Sequence, residues 1–317
     1  MERPQVSVVI PARNEEEAIG PLLDSIRAVA GAGAWEIIVV DDGSTDRTAA
    51  IAERHGARVI RHPENQGNGA SVRRGGCAAG GDVLVFLDAD GQHPPEAIPR
   101  LLAHVGPYDM VVGARTAESD VSLVRTMGNC AMNRLARFLC QYPIVDLTSG
   151  FRAIKRDCFL EFAHLFPQRY SYPTTITMAM ILEGYFVKYE PVPEIGRRTS
   201  GRSCISPLRD GMRFIEIMLR MITLFNPMRV FGRMAAVLLA YGLSAGSYEV
   251  IALNRLDKSS LMCIILGVVT FSHGLLADQI SRTRREIHAL RGMRAWGRAP
   301  ESLRPRQRTE PGEAAGE

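Results

Sequence analysis

The sequence predicts an α/β fold: a mostly parallel sheet flanked by helices, followed by helices that meet a membrane. Three observations predict it. Short β-rich runs alternate with helical patterns over roughly the first two hundred of 317 residues. The runs are continuously apolar rather than alternating, which suits a sheet covered on both faces. Beyond residue 205 the pattern changes to one basic amphipathic stretch and two long apolar ones.

The β-rich runs are residues 5–10 (QVSVVI), 36–40 (EIIVV), 57–60 (ARVI), 83–87 (VLVFL), 109–112 (DMVV) and 186–189 (FVKY). Helical patterns at 15–30, 45–54 and 94–104 separate several of them. In open parallel sheets ligands sit at the carboxyl ends of the strands. Polar clusters fall there: PARNEE after the first run, DDGSTD after the second and DADGQH after the fourth.

Residues 206–225 place Arg209, Arg213, Glu216 and Arg220 on one helical face, with Leu208, Met212, Ile215, Leu219, Ile222 and Phe225 filling much of the rest. An ordinary helix packed on the domain has this pattern too; a membrane-surface helix is the reading preferred here. Residues 234–253 carry one charge, Glu249, and residues 260–277 carry none if His273 is neutral. About 20 apolar residues span a bilayer core, so the pair reads as a transmembrane hairpin rather than two buried core helices. Six arginines follow (Arg282, Arg284, Arg285, Arg291, Arg294, Arg298). That bias favours the cytoplasmic side, and a hairpin then keeps the N-terminal domain in the cytoplasm as well. The expected organisation is a catalytic domain over 1–205, an interface helix over 206–228, a hairpin over 229–280 and a basic, partly disordered tail over 281–317.

Composition narrows the classes. At 46% hydrophobic and 23% charged the chain can bury a core. A net charge of +4 gives no reason to expect nucleic acid as a partner. The six cysteines form no C-x-x-C pair, so reduced thiols are expected. The N-terminus lacks a basic region followed by a long apolar run, so no cleaved signal peptide is expected.

The chemistry gathers in Asp88-Ala89-Asp90. Side chains two apart in an extended chain point the same way. A helix cap is the plain reading of such a pair. Two hard carboxylate ligands with the nearby amide of Gln92 also suit Mg2+ or Mn2+, with water and phosphate completing the shell. Such a metal neutralises a diphosphate leaving group. Asp42 can accept from a base or a ribose hydroxyl. Gly67 and Gly69 let backbone approach a ligand. Arg115 offers a planar fork to phosphate oxygens, or makes a surface ion pair.

These motifs, in order, are VVIPARNEEEAI, EIIVVDDGSTDRT, NQGNGASVRRG, VLVFLDADGQHPPEAI, DMVVGAR, DLTSGFRAIKRD and EGYFVKYEPV. Over about residues 5–205 they resemble the family 2 glycosyltransferases of GT-A, Rossmann-like fold. The branch most similar transfers hexoses to dolichol phosphate or polyprenyl phosphate and includes the dolichol-phosphate mannose synthases. LRMITLFNPMRVF and the hairpin resemble its membrane-anchored members.

The resemblance implies roles. Pro11, Arg13 and Glu15 would line the nucleotide base, with Val40 and Asp42 beside base and ribose. Asp88, Ala89 and Asp90 would hold the metal and diphosphate, with Gln92 as a further ligand. Arg115 and Arg125 would face the sugar phosphate and the acceptor phosphate, with Asn129 nearby, and Asp146 would sit by the acceptor. Arg198, Gly201 and Ser203 resemble a loop that closes on the diphosphate, with Ser203 near the acceptor phosphate. Family members often carry Tyr in place of Arg13, and the dolichol enzymes carry Lys in place of Cys204. The implied partners are a nucleotide-sugar, a polyprenyl or dolichyl phosphate and the cell membrane; a homo-oligomer is left open. GDP-mannose and UDP-glucose lead among donors, with UDP-N-acetylglucosamine behind them. A different acceptor, or a silent nucleotide-sugar binder, is the alternative. A processive synthase is disfavoured, because neither Trp35 nor Trp296 completes Q-x-x-R-W.

Overall fold

The structure is a computed structural model that describes residues 5–31, 35–115, 123–168, 171–192, 207–254 and 257–297. The chain divides into two compact units between Phe225 and Asn226.

The first unit is built on a seven-stranded sheet. Its strands are β1 (Val6–Ala12), β2 (Glu36–Asp41), β3 (Arg58–Arg61), β4 (Val83–Phe86), β5 (Met110–Ala114), β6 (Arg152–Lys155) and β7 (Val187–Pro191). Their order is β3-β2-β1-β4-β6-β5-β7. β6 runs antiparallel to β4 and β5, and the other pairings are parallel. The carboxyl ends of β1, β2, β4 and β5 therefore share one edge with the amino end of β6. That reversal brings the DLTSGFR segment to the edge where DADGQH already lies.

The central strands β1, β2, β4 and β5 bury both faces, as their unbroken apolar runs require, while the edge strands β3 and β7 stay partly open. Val8, Ile10, Val39, Val85 and Val111 pack beneath α1 (Ile19–Ala30), which contributes Ile19, Leu23 and Ile26, and beneath α4 (Ile98–Leu102), which contributes Ile98 and Leu101. α1 has no side-chain cap. A missing cap costs about 1 kcal/mol, whereas each buried Ile or Leu stabilises by about 1.5–3 kcal/mol. Tertiary burial therefore decides this helix. α2 (Thr48–Arg54) follows β2.

The opposite face carries α3 (Asn68–Ala78), α6 (Arg156–Phe162) and α7 (Tyr172–Leu182). Phe86 of β4 stacks on Phe159 with ring centroids 5.0 Å apart. α7 is buried nearly all round, with Ile176, Met178, Ala179 and Met180 inaccessible. Against it and α5 (Leu123–Cys140) packs α8 (Pro207–Phe225), which buries Met218, Met221, Ile222 and Phe225. Met212, Ile215 and Leu219 of α8 remain exposed. The exposed apolar stripe is thus narrower than the sequence suggested, because Ile222 and Phe225 belong to the core.

The second unit is a pair of packed helices, α9 (Met228–Leu253) and α10 (Lys258–Gly297). Met228–Leu253 and Lys258–Arg284 are long and apolar enough to cross a membrane by length and composition, and most of their apolar surface is uncovered. α10 continues as helix through Gly297, so five of the six tail arginines extend it. Close contact between the helices relies on small residues. A Cβ at Gly242 would stand 3.0 Å from the Ile264 nitrogen and the Ser260 oxygen. Glu249 accepts from the Asp257 N–H at 3.0 Å and the Ser260 hydroxyl at 2.8 Å, tying the two helix ends together.

Candidate active site

The loops after β1 and β2 are stitched to each other. Ser44 Oγ accepts the Asn14 N–H at 3.0 Å, and Asn14 Oδ1 accepts the Thr45 N–H at 2.9 Å. The Glu15 N–H donates to Thr48 Oγ1 at 2.9 Å. In this frame Val40 and Glu15 are buried, Pro11 is half-buried and Arg13 is exposed.

Asp42 lies just past β2 and is buried. Its two oxygens accept the N–H groups of Gln66 and Gly67, each at 2.8 Å, and His62 Nδ1 lies 2.9 Å away. Burial pushes the Asp42 carboxyl up, but His62 and the two backbone N–H groups outweigh it and hold the carboxyl below its ordinary value. Asp42 thereby anchors the loop before α3. A cleft of about 380 Å³ at the β3 edge is lined by Arg61, His62, Gln66, Arg73 and Arg74, and so includes two of Asp42's partners.

Asp88 and Asp90 follow β4, both half-buried. Asn68 Nδ2 lies 3.4 Å from Asp88 Oδ1. Asp90 Oδ1 accepts the Gln92 N–H at 3.1 Å, a turn-back that the left-handed Gly91, φ 71°, permits. Gly150 faces the first carboxylate: a Cβ there would stand 2.9 Å from Asp88 Oδ2. Among the described residues no three His, Cys, Asp or Glu side chains gather into a closed metal site. Two carboxylates and an amide are the open, oxygen-rich donor set of a cation that takes its remaining ligands from water and diphosphate, so the residues fit Mg2+ or Mn2+.

Sequence reasoning passed over His93. It is buried, stacks on Phe151 with centroids 5.4 Å apart, and its Nδ1 accepts the Asp88 N–H at 3.1 Å. That bond places the ring proton of the neutral form on Nε2. Burial lowers its pKa to about 4, against the pull of Asp90.

Arg115, just past β5, grips Asp146 with a two-pronged contact: Nε to Oδ2 and Nη2 to Oδ1, each at 2.8 Å. Nη2 also donates to Thr148 Oγ1. Asp146 further accepts the N–H groups of Arg115, Thr148 and Ser149. Burial pushes its carboxyl up, yet the Arg115 hydrogen bonds and charge prevail and hold it below its ordinary value. Among the described residues the two Nη1 N–H donors of Arg115 have no hydrogen-bond partner, so its outer edge is available to an anion. α5 secures this loop. Asn133 donates to the Val145 carbonyl at 2.6 Å and accepts from the Leu147 N–H at 3.1 Å.

Arg125 and Asn129 lie on α5, eight and four residues before Asn133, so their backbone positions share its helix face. Arg198 and Ser203, with Gly201 and Cys204, lie outside the described residues. The structure thus gathers Asp88, Ala89, Asp90, Gln92, Arg115 and Asp146 at one edge, with Asp42 and Glu15 at the neighbouring strand ends. It adds His93, Asn68, Asn133, Thr148 and Gly150. Of these, His93, Asn68, Thr148 and Gly150 lie inside the conspicuous motifs without being singled out, and Asn133 lies outside them.

A mixed, mostly parallel sheet with paired carboxylates after β4 and an Arg–carboxylate pair at the same edge defines an α/β transferase with an open, metal-competent anion site. The chain belongs to glycosyl transferase family 2: residues 7–162 match the model of that family, and residues 226–283 match the GtrB C-terminal hairpin. It is 34% identical over 209 residues to a dolichyl-phosphate hexose transferase of Haloferax volcanii, covering 65% of this chain and 89% of that protein. It is 36% identical over 168 residues to an undecaprenyl-phosphate 4-deoxy-4-formamido-L-arabinose transferase of Pectobacterium carotovorum, covering 50% of this chain and 51% of that one. The chain thus spans about half the length of some curated relatives it matches and most of others. Among solved structures it resembles glucosyl-3-phosphoglycerate synthase of Mycobacterium tuberculosis in complex with Mn2+ and UDP-glucose, with TM-score 0.56 and 25% identity over 69% of this chain and 79% of that one.

Proposed function

We propose that the protein moves a hexose from a nucleotide-sugar to a polyprenyl or dolichyl phosphate, with inversion, at the cytoplasmic face of a membrane. One observation carries the reading: a family 2 catalytic region is followed in the same chain by a hairpin of two membrane-length, largely uncovered apolar helices. Relatives named as polyprenyl-phosphate sugar transferases support the acceptor, and the arginine-rich end of α10 supports the orientation. GDP-mannose and UDP-glucose lead as donors.

The acceptor phosphate needs no strong base. Its second pKa is near ~6, so it is largely dianionic at neutral pH. Asp146 is unsuited to taking a proton, since both its oxygens are engaged and its carboxyl is held in the anionic form. It orients Arg115, whose Nη1 edge faces a phosphate. Arg125, Asn129 and Ser203 are assigned to the acceptor phosphate and Arg198 to the diphosphate. Pro11, Arg13, Glu15, Val40 and Asp42 hold base and ribose. Asp88, Asp90 and Gln92 would hold Mg2+ or Mn2+, which when bound offsets charge on the departing diphosphate. The rest of the rate comes from positioning and fixed charge. The exposed stripe Met212, Ile215 and Leu219 of α8 rests on the lipid surface.

Membranes containing the protein, incubated with radiolabelled nucleotide-sugars and polyprenyl phosphate, should yield label that partitions into organic solvent. Label in a water-soluble phosphorylated product instead, independent of added lipid, would replace the acceptor with a diffusible one.

A further inference from the structure

Arg152 opens β6 directly behind the site and is completely inaccessible. Among the described residues its guanidinium touches only neutral groups. Nη1 donates to Thr177 Oγ1 at 3.1 Å and the Pro173 carbonyl at 3.3 Å, and lies 3.8 Å from Met110 Sδ. Nη2 donates to the Ser149 carbonyl, and the Tyr172 ring lies 5.4 Å from Cζ. Nε has no hydrogen-bond partner, and among the described residues no carboxylate forms an ion pair with it. A buried charge without a counter-ion is costly, and an apolar residue of similar volume would pack more cheaply. Its charge therefore calls for a role outside the core.

The same few atoms connect it to the carboxylates. The Ser149 carbonyl takes Arg152, while the Ser149 N–H donates to Asp146 at 3.2 Å. Gly150 stands against Asp88 on one side, and its carbonyl accepts the Tyr172 hydroxyl at 2.9 Å on the other. The guanidinium thus sits one peptide layer behind Asp88 and Asp146, the two carboxylates whose charge acts on it. Among the described side chains, Asp88, Asp90 and Asp146 stand in front of that layer with Arg115.

We propose that Arg152 is a positioning residue whose unpaired, buried charge biases the carboxylate edge toward a bound diphosphate and against a bare divalent cation. This rests on the edge being a metal-diphosphate site. Like charge at this range repels the cation and attracts the anion through a low-dielectric layer, each effect amounting to about tenfold in affinity. The two effects have opposite signs, which a packing role does not produce.

The test uses the full chain in detergent and reads binding. Free Mn2+ is followed by electron paramagnetic resonance. GDP and UDP are followed by calorimetry in the presence of chelator. Arg152→Met is expected to bind Mn2+ about tenfold more tightly and the nucleoside diphosphates about tenfold more weakly than the parent protein. Arg152→Lys, which keeps the charge and loses the fork, should hold both affinities near the parent values. If both affinities fall together in folded Arg152→Met, or neither moves, the proposal is wrong. Should Arg152→Met fail to fold, Arg152→Lys decides: a tenfold loss of Mn2+ affinity assigns Arg152 to the fork's hydrogen bonds and overturns the proposal, and retained affinity supports it. A parent protein that binds neither Mn2+ nor nucleoside diphosphate overturns the reading of the site itself.

Discussion

The Arg115–Asp146 pair allows a worked prediction. In Asp146→Asn an amide nitrogen must replace one oxygen. At the Oδ2 position it would face the N–H and Nε–H of Arg115, donor against donor. At the Oδ1 position it would face Nη2 and the N–H groups of Thr148 and Ser149. Either way at least two hydrogen bonds to a buried group are lost, at about 1.5–3 kcal/mol where one partner is charged. Arg115 is also left as a largely buried cation without its counter-ion, and breaking such a pair costs about 3–5 kcal/mol. These figures describe overlapping losses, so the expected destabilisation is about 3–5 kcal/mol. Urea unfolding in detergent, followed by near-ultraviolet circular dichroism of the catalytic unit, measures it. The double variant Arg115→Met, Asp146→Leu removes both charges and should recover most of that stability while remaining inactive. A loss under about 0.5 kcal/mol in Asp146→Asn would mean the pair does not hold the loop, and the orienting role given to Asp146 would fail with it.

Three further outcomes are expected. Asp90→Ala should abolish transfer and Mn2+ binding with an unchanged unfolding midpoint; an active variant removes Asp90 from the site. Gly150→Ala places a methyl 2.9 Å from Asp88 Oδ2, so the carboxylate must shift by tenths of an ångström and transfer should fall at least about tenfold with the fold retained; kinetics within twofold of the parent would mean Asp88 is not held in a working position. His93 has an ordinary pKa of 6.5 and one of about 4 in the fold. Below pH 6.5 the unfolded chain binds a proton that the folded site refuses. Stability should therefore fall as the pH drops from 6.5 to about 4, by up to about 3 kcal/mol, and His93→Gln should flatten that slope. Asp42 and Asp146 are depressed instead; their contribution is present above the ordinary carboxylate value and is lost only at lower pH, as each passes its folded value.

The sheet was legible because its central strands bury both faces and read as unbroken apolar runs, and because parallel order puts every polar cluster at one edge. Six of the seven strands lie within two residues of the expected runs. β6 was not legible: four residues, RAIK, with charge at both ends, look like a loop until β4 and β5 flank them. α7 was hidden for the opposite reason, since a helix buried all round has no polar face to give a period. In the site, residue type announced Asp88, Asp90, Arg115 and Asp146. It could not announce that Asp42 anchors a loop, that His93 supports Asp88 from below, or that Arg152 lies in the core. Those roles depend on which neighbour takes each hydrogen bond, and long-range packing makes that choice.

α8 carries buried and exposed apolar residues side by side. Its buried residues recur at 218, 221, 222 and 225, and its exposed apolar residues at 212, 215 and 219. The exposed stripe adjoins the buried one, since Leu219 and Ile215 stand three and seven residues before Ile222, so it forms an uncovered margin of the packed face. Met212 is 65% exposed and Leu219 47%, an arrangement that costs solubility unless something apolar covers it. Arg213 and Arg220 flank the stripe and suit an anionic headgroup layer. Nothing in the catalytic edge uses these residues. Leu219→Asp should therefore leave GDP, UDP and Mn2+ binding unchanged and lower transfer to membrane-embedded polyprenyl phosphate about tenfold, since a charge replaces an apolar group at the lipid surface. A short-chain, water-dispersed polyprenyl phosphate should restore the rate. If transfer to the embedded acceptor stays at the parental rate, α8 does not rest on lipid. If it falls equally with the dispersed acceptor, the residue acts on the site and not on access to the bilayer.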